Sequence, residues 1–270
     1  MGKSRILDTK SEIRYTYTMK IVFFGASNFA PLVLPILEKS FEIELVIDER
    51  TTGFEDIKNT QSEIAVLAAY GKILPKEILN HFKYGILNIH PSLLPKYRGS
   101  SPVQNAILDG DTQTGVTVIK LDEAMDHGPI LAQEIITLDN TDTAQSLYTK
   151  LFPLGAKLII ENLPAFTAGK KELVEQDHQL ATYTKMITKA DGYIDILNIK
   201  PEEIDRKIRA YFPWPGAWSK VVLNEKGEQK IVKFLPNKII QVEGKKEMSY
   251  KDFLNGYPQV DKKLAEFLKT

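Results

Sequence analysis

The chain has 270 residues, 43% of them hydrophobic, and equal numbers of acidic and basic side chains, so its formal net charge is zero. This length predicts roughly two domains, and the composition is ordinary for a globular protein. It has no cysteine and no run of 18 apolar residues, which excludes disulfides, zinc–thiolate sites, cysteine nucleophiles and an apolar membrane span. The missing cysteines favour a cytoplasmic location.

The charge is unevenly distributed along the chain. Residues 1–183 carry 18 basic and 23 acidic side chains, whereas residues 184–270 carry 17 and 12. Two interpretations are open: a basic C-terminal module that contacts a polyanion such as RNA, or random scatter on a solvated surface.

Residues 1–18 are polar, lack periodicity and precede a second methionine, Met19. They predict a disordered tail or an artefact of start-site choice. Their apolar core is too short for a secretory signal, and Asp8 and Glu12 argue against a transit peptide.

The folded part opens with a strand at 20–24, a turn at 25–29, a helix at 30–39 and a strand at 43–47. This βαβ order predicts a parallel sheet. The turn at Gly25 lacks the G-x-G-x-x-G pattern, so NAD is not expected.

Further strands and helices alternate up to residue 167. The predicted strands are 63–69, 85–89, 114–121 and 129–136, and the predicted helices are 75–81, 102–108 and 143–167. Residues 168–200 are polar and predict a surface linker. A helix at 201–211 and short strands at 220–223, 230–234 and 238–242 then predict a small barrel or sheet.

The segment 88–99 places an amide and an imidazole two residues apart at the end of a predicted strand. Asn88 and His90 then project from the same face. The amide can stabilise an oxyanion, and the imidazole can accept a proton near neutral pH. Asp126 supplies a downstream acidic partner. Taken singly, an Asn-x-His pair is also compatible with a structural role. Asp126, which precedes a glycine turn, is likewise compatible with a role in forming that turn.

Three motifs carry a family resemblance: Asn88-x-His90-Pro-Ser-Leu-Leu-Pro-x-Tyr-Arg-Gly99, Asp126-x-Gly128-Pro-Ile130 and Ala69-Tyr70-Gly71-x-Ile73-Leu74-Pro75. Together they resemble the folate-dependent formyltransferases. Three later motifs look like the linker and C-terminal domain of the branch that acts on methionyl-tRNA: Lys189-Ala-Asp191-Gly192-x-Ile-Asp195, Ala210-Tyr-Phe-Pro-Trp-Pro-Gly-Ala-Trp218 and Gly244-Lys-Lys-x-Met-Ser-x-Lys-Asp-Phe-Leu-Asn-Gly256. The resemblance covers about residues 19–256.

The resemblance implies a Rossmann-like α/β formyltransferase domain at 19–183, a linker at 184–200 and a small, shortened OB-like β-barrel domain at 201–270. Asn88, His90 and Asp126 are then the catalytic residues, and no metal is required. The residues implied to bind the folate are Ser92, Leu93, Leu94, Pro95, Tyr70, Gly71 and Asp122. For residues 92–95, a rigid turn that binds no ligand remains an alternative. For Tyr70, Gly71 and Asp122, the alternative is that they are ordinary residues at the ends of strands.

Several other side chains are given plain structural roles. His127 and His178 are expected to be surface residues. Trp214 and Trp218 are expected in the core of the second domain, with base stacking as the alternative.

The sequence departs from the family pattern in two places. The first departure is a short connection of only 15 residues, 49–63, between the strand that ends at Ile47 and the strand at Ile64. A connection of this length can hold one crossover, but it cannot hold the basic loop, the helix and the additional strand that the family has at this place. In the family, that loop reaches toward the tRNA acceptor stem. About 50 residues follow Trp218, which is short for a five-stranded barrel. The two gaps argue against a complete tRNA-recognition apparatus and predict a less stable sheet edge near Val46.

The predicted activity is transfer of the formyl group of 10-formyltetrahydrofolate to the α-amine of methionyl initiator tRNA, for translation initiation, by a monomeric cytoplasmic enzyme without a membrane partner. Two alternatives stay open. One is a formyltransferase that acts on an amino-sugar nucleotide or another small amine, and the other is a non-catalytic remnant that binds folate or RNA.

Overall fold

The computed structural model of the chain describes residues 4–6, 14–16, 19–48, 50–51, 53–196, 198–223, 227 and 229–269. They form two compact units that interleave along the sequence. The first consists of Met1–Ser100, Thr114–Ile136 and Thr149–Thr184, and the second of Ser101–Gln113, Thr137–Tyr148 and Lys185–Thr270. Within the described ranges, no helix combines the length and apolarity needed to cross a bilayer.

Most of the predicted tail, 1–18, lies outside the described residues. Its two described stretches, β1 (Ser4–Ile6) and β2 (Arg14–Thr16), pair in antiparallel fashion. The predicted domain boundaries at 183, 184–200 and 201 remain predictions.

A six-stranded sheet is the centre of the first unit, with the strand order β4-β3-β5-β6-β8-β9. Its strands are β3 (Lys20–Gly25), β4 (Glu42–Ile47), β5 (Ala65–Ala68), β6 (Ile86–His90), β8 (Gln113–Lys120) and β9 (Ile130–Thr137). Along the chain, the helices that follow or link these strands are α1 (Ala30–Leu37), α2 (Lys76–Leu79), α3 (Pro102–Asp109) and α4 (Ala144–Thr167). Of these, α3 and the first residues of α4 belong to the second unit.

The sheet is mixed. The strands β4, β3, β5 and β6 run parallel, as the βαβ order predicts, and β8 is antiparallel to β6. The Rossmann-like α/β fold is therefore confirmed, but the prediction of a wholly parallel sheet was wrong. The chain between β6 and β8 brings the next strand back in the opposite direction.

The short connection between β4 and β5 contains one 3-10 helix, Glu55–Asn59. Its Ile57 is fully buried and packs in the same apolar cluster as Val22 and Phe24. A short 3-10 helix thus covers a sheet face where a longer α-helix would normally lie. The strand β4 lies at the sheet edge, and Val46 is 46% exposed.

The second unit contains an antiparallel sheet in the linear order β11-β12-β13-β14. Besides α3, its elements are α5 (Pro201–Ala210), β11 (Ala217–Val222), β12 (Gln229–Leu235), β13 (Ile239–Val242), β14 (Glu247–Ser249), α6 (Tyr250–Gly256) and α7 (Lys262–Lys269). Alternate residues of β11 and β12 face a core that includes Val221, Val232 and Phe234. The small β domain is confirmed, and its described strands form an open sheet.

The expectation that Trp214 belongs to this core was wrong, because its side chain is 59% exposed. It lies between α5 and β11, where the flanking Pro213 and Pro215 prevent regular secondary structure. Trp218 is only partly buried; its indole N–H donates to the Lys189 carbonyl oxygen over 3.3 Å.

Candidate active site

The strand β6 presents Asn88 and His90 from one face, as the period of two predicts. Their exposed fractions are only 7% and 4%. The intervening Ile89 points to the other face, toward Gly155 of α4. A Cβ at Gly155 would lie 2.3 Å from the Ile89 side chain, so a glycine is needed for the helix to approach this closely. One face of β6 is therefore packed by α4, and the other carries the two polar side chains.

Asp126, in the turn between β8 and β9, completes the predicted triad. Its Oδ1 is 3.4 Å from the Asn88 amide nitrogen and 3.5 Å from His90 Nδ1. Its Oδ2 accepts a hydrogen bond of 2.8 Å from the backbone N–H of Gly99. One carboxylate oxygen is thus held by backbone while the other faces both polar groups of β6, so the structure brings all three residues together.

The contacts of His90 define its protonation pattern. Its Nε2 lies 3.0 Å from the carbonyl oxygen of Tyr97. A carbonyl oxygen can only accept, so Nε2 carries a hydrogen and donates it. The second ring nitrogen, Nδ1, faces Asp126. It follows that Nδ1 is the nitrogen available for proton exchange in this arrangement.

The loop that follows β6 is fixed by buried hydrogen bonds. The hydroxyl of Thr117 donates to the Ser92 carbonyl oxygen over 2.6 Å and accepts from the Leu94 N–H over 3.1 Å. The Ser92 hydroxyl in turn donates to the Lys96 carbonyl oxygen over 2.7 Å. Ser92 and Leu94 are buried, whereas Leu93 and Pro95 keep partly exposed surface. Within the predicted folate segment 92–95, Leu93 and Pro95 therefore have the surface that a ligand could contact.

Tyr70 and Gly71 follow β5, and the structure places them differently. Tyr70 is 2% exposed in an apolar cluster, with its ring edge-on to Phe24 at 5.5 Å. Its hydroxyl is buried without a hydrogen-bond partner. Burial raises the pKa of this hydroxyl, and the charge of Asp48 raises it further. Gly71 is exposed, has a φ of +77° and would meet nothing within 4 Å of an added Cβ.

Asp122 lies in the turn that also carries Asp126, and its side chain is 38% exposed. Its carboxylate accepts from the backbone N–H of Ala124 over 2.9 Å and contacts His127 Nδ1 at 2.7 Å. His178 is exposed and His127 is partly exposed, as expected of surface residues, but the two side chains contact each other. Their rings stack with a centroid distance of 3.9 Å and an interplanar angle of 7°.

The predicted surface linker 168–200 also needs correction, because part of it is built into the first unit. Val174 forms an antiparallel bridge with Ile130. The hydroxyl of Thr182 accepts from the Tyr97 N–H over 2.8 Å. The strand β10 (Tyr183–Thr184) pairs in parallel with β7 (Arg98–Gly99). This segment supports the loop that ends in Gly99.

Two residues of this support, Arg98 and Gln176, were missed by sequence reasoning as candidates for a site role. Arg98 is 1% exposed and Gln176 is 5% exposed. The position of Arg98 inside the 88–99 motif was the available signal; Gln176 lies in a polar stretch without periodicity. Among the described residues, no group of three or more histidines and carboxylates is arranged to hold a metal ion.

Two family models match this chain. Residues 19–163 match "Formyl transferase", and residues 186–239 match "Formyl transferase, C-terminal domain". A protein named methionyl-tRNA formyltransferase from Caldicellulosiruptor saccharolyticus is 38% identical over 88% of this chain and 97% of its own length. One of the same name from Chloroflexus aurantiacus is 49% identical over 62% of this chain and 54% of its own length. The chain thus spans about half the length of several curated relatives it matches.

Solved structures agree on the fold. Methionyl-tRNA formyltransferase from Clostridium thermocellum superimposes with a TM-score of 0.65 and 22% identity, over 85% of this chain and 96% of that one. HypX from Aquifex aeolicus in complex with tetrahydrofolic acid superimposes with a TM-score of 0.66 and 18% identity, over 89% of this chain and 48% of that one. With both domain models matched in order and a relative covered almost completely, the chain belongs to the formyl transferase family.

Proposed function

We propose that this chain transfers the formyl group of 10-formyltetrahydrofolate to the α-amine of methionyl initiator tRNA. The observation that carries the proposal is the convergence of Asn88 and His90 on Oδ1 of Asp126 in a buried niche. Formyl transfer between two nitrogens needs a hydrogen-bond donor for a carbonyl oxygen and a carrier for one proton. These three side chains supply both.

The proton balance assigns a task to each side chain. The acceptor nitrogen bonds to the formyl carbon and loses one proton, while the folate nitrogen is released from that carbon and gains one. The Asn88 amide N–H donates to the formyl oxygen as negative charge develops on it. The pair formed by Asp126 Oδ1 and His90 Nδ1 holds the proton between its removal and its delivery. Asp126 can do this without moving because Gly99 fixes its other oxygen.

The folate contacts are proposed for the segment Ser92 to Pro95 and for Tyr70, Gly71 and Asp122. The partnerless hydroxyl of Tyr70 supports this choice, because a buried donor that lacks a protein partner fits a ligand acceptor. The exposed surface of Leu93 and Pro95 suits the apolar rings of a pterin.

Initiator tRNA is proposed as the acceptor because relatives 38–49% identical to the chain carry the name methionyl-tRNA formyltransferase. The net charge of +5 in residues 184–270 also suits a polyanionic partner. A cytoplasmic, monomeric enzyme without a metal requirement accords with this role in translation initiation.

A comparison of acceptors tests the proposal. The purified protein is incubated with 10-formyltetrahydrofolate and, in parallel, with methionine-charged initiator tRNA, a charged elongator tRNA and an amino-sugar nucleotide. Formylation of the initiator alone is expected. If the sugar nucleotide is formylated and neither tRNA is, the acceptor assignment is wrong. If no acceptor is formylated, the result favours the alternative that the chain is a non-catalytic remnant that binds folate or RNA.

The catalytic assignment is tested by substitution. His90→Ala and Asn88→Ala are each expected to lower the rate by about two to four orders of magnitude. His81→Ala is the matched control, since His81 is exposed in the same unit. Urea denaturation of each variant separates a catalytic loss from unfolding. Near-wild-type turnover of His90→Ala would rule out its assigned role.

A further inference from the structure

The residues behind Asp126 come from a segment that neither family model covers. The first model ends at residue 163, and the second begins at residue 186. Between them, Val174 to Thr184 runs along the back of the turn between β8 and β9 and of the loop that ends in Gly99. Gln176 is the buried polar residue of this segment.

Gln176 directs both of its amide hydrogens at the turn that carries Asp126. Its Nε2 donates to the carbonyl oxygen of Asp126 over 2.9 Å and to that of Gly128 over 2.7 Å. Asp126 has a φ of +47°, a left-handed conformation that is strained for a residue with a side chain. The two hydrogen bonds hold in place the carbonyl group of this strained residue and the backbone of the turn that follows it.

Arg98 fixes the orientation of Gln176. Its guanidinium donates to Gln176 Oε1 over 2.7 Å through Nη2 and over 3.3 Å through Nε. The same Nη2 lies 2.8 Å from His178 Nδ1, which must accept because a guanidinium only donates. With Oε1 committed to Arg98, the Gln176 amide cannot flip, so its hydrogens stay directed at Asp126 and Gly128.

We propose that Gln176 is a positioning residue for formyl transfer, which holds Asp126 in its left-handed conformation so that Oδ2 meets the Gly99 N–H and Oδ1 faces Asn88 and His90. Gln176 acts only through Asp126 and has no assigned contact with a substrate. The inference rests on the proposed function for its kinetic consequence, but its structural consequence at Gly99 is independent of any activity.

Two variants and one control test the two hydrogen-bonding sides of Gln176. Gln176→Ala removes both sides. Gln176→Glu keeps the acceptor for Arg98 but loses both donors to the turn. Gln179→Ala is the matched control, because Gln179 is an exposed residue of the same type in the same segment. Gln176→Ala and Gln176→Glu are each expected to lower kcat by about 10- to 100-fold. Their KM values for both substrates should stay within about two-fold of the wild-type values, since only the geometry of Asp126 changes. The control is expected to match the wild type.

A double-mutant cycle distinguishes positioning from general support. On an Asp126→Asn background, Gln176→Ala is expected to cause little further loss of kcat, because the group it positions is already disabled. A loss equal to that on the wild-type background, or an unchanged kcat of Gln176→Ala, overturns the proposal.

A readout without catalysis keeps this inference separable from the proposed function. In a protein labelled with ¹⁵N-glycine, the amide proton of Gly99 is expected to shift and to exchange faster in Gln176→Ala and Gln176→Glu, because its bond to Asp126 Oδ2 weakens. Gln179→Ala is expected to leave it unchanged. An unchanged Gly99 amide in the Gln176 variants overturns the positioning role even if the protein formylates no acceptor. A shifted amide in an inactive protein supports it while the proposed function fails.

Discussion

Gly99 donates its backbone N–H to Oδ2 of Asp126 over 2.8 Å, across 27 positions of sequence. This bond joins the loop after β6 to the turn between β8 and β9. It leaves Oδ1 of Asp126 as the oxygen that faces Asn88 and His90. The conformation of Gly99 therefore determines where the acidic member of the triad lies.

Gly99→Ala is expected to damage both folding and catalysis. Gly99 has a φ of +107°, and an added Cβ would lie 2.5 Å from the Thr184 carbonyl oxygen. The backbone must shift, at a cost of about 1–3 kcal/mol in the free energy of unfolding, and the N–H moves away from Asp126. Urea denaturation and formylation rates measure the two effects, and we expect a rate loss of at least about ten-fold.

Gly169→Ala is the control for this substitution. Gly169 also has a positive φ, +69°, but an added Cβ would meet nothing within 4 Å. Both variants share the conformational strain, and only Gly99→Ala has the collision with Thr184. Equal effects of the two on the formylation rate would contradict the link from Gly99 to Asp126.

Thr117→Val is expected to loosen the loop 92–95 while keeping the shape of the side chain. The Thr117 hydroxyl is fully buried and contacts the Ser92 carbonyl oxygen, the Leu94 N–H and Gln133 Nε2. Its removal leaves the first two without this partner, and each unpaired buried group costs about 1–3 kcal/mol. Urea denaturation should show a loss of at least about 2 kcal/mol, whereas the exposed Thr137→Val should stay within about 0.5 kcal/mol. A loss no larger than that of Thr137→Val would show that the loop is held by other contacts.

The sequence was sufficient to predict the parts of the site that depend on local geometry. The alternation along β6 determines that Asn88 and His90 share a face, and the motif around Asp126 identifies its turn. The strands of the six-stranded sheet were predicted to within two residues at either end because their apolar runs are bounded by glycine and polar residues, whereas β11 begins three residues before its predicted start.

The support behind Asp126 could not be predicted in the same way. Gln176 contacts the backbone carbonyl oxygens of Asp126 and Gly128, and every residue has such an oxygen. No residue type at positions 126 or 128 therefore signals the contact. The stacking of His127 on His178 likewise depends on how the segment after α4 returns to the sheet, which neither periodicity nor composition encodes.

Tyr70→Phe is expected to separate stability from folate affinity. The Tyr70 hydroxyl is buried without a partner, so its removal should raise the free energy of unfolding by about 1 kcal/mol. If that hydroxyl contacts the folate, KM for 10-formyltetrahydrofolate should rise several-fold in the same variant. Tyr257→Phe, in the second unit, is the control and should leave this KM unchanged. A more stable Tyr70→Phe protein with an unchanged KM would assign Tyr70 to the core alone.

Asp191 is expected to make the second unit sensitive to acid. Its Oδ2 accepts from the hydroxyl and the backbone N–H of Thr188, each over 2.7 Å, and these bonds, with the nearby charge of Lys185, lower the pKa of its carboxyl below the ordinary 3.8. Because the folded state favours the ionised form, this stabilisation is present above the unfolded pKa and is lost as the pH falls through the folded one. Asp191→Asn should lower the free energy of unfolding by about 1 kcal/mol at pH 7, as for a lost helix cap. Its difference from the wild type should shrink below pH 4, as measured by urea denaturation over a pH series; a constant difference would mean that the Asp191 charge does not contribute.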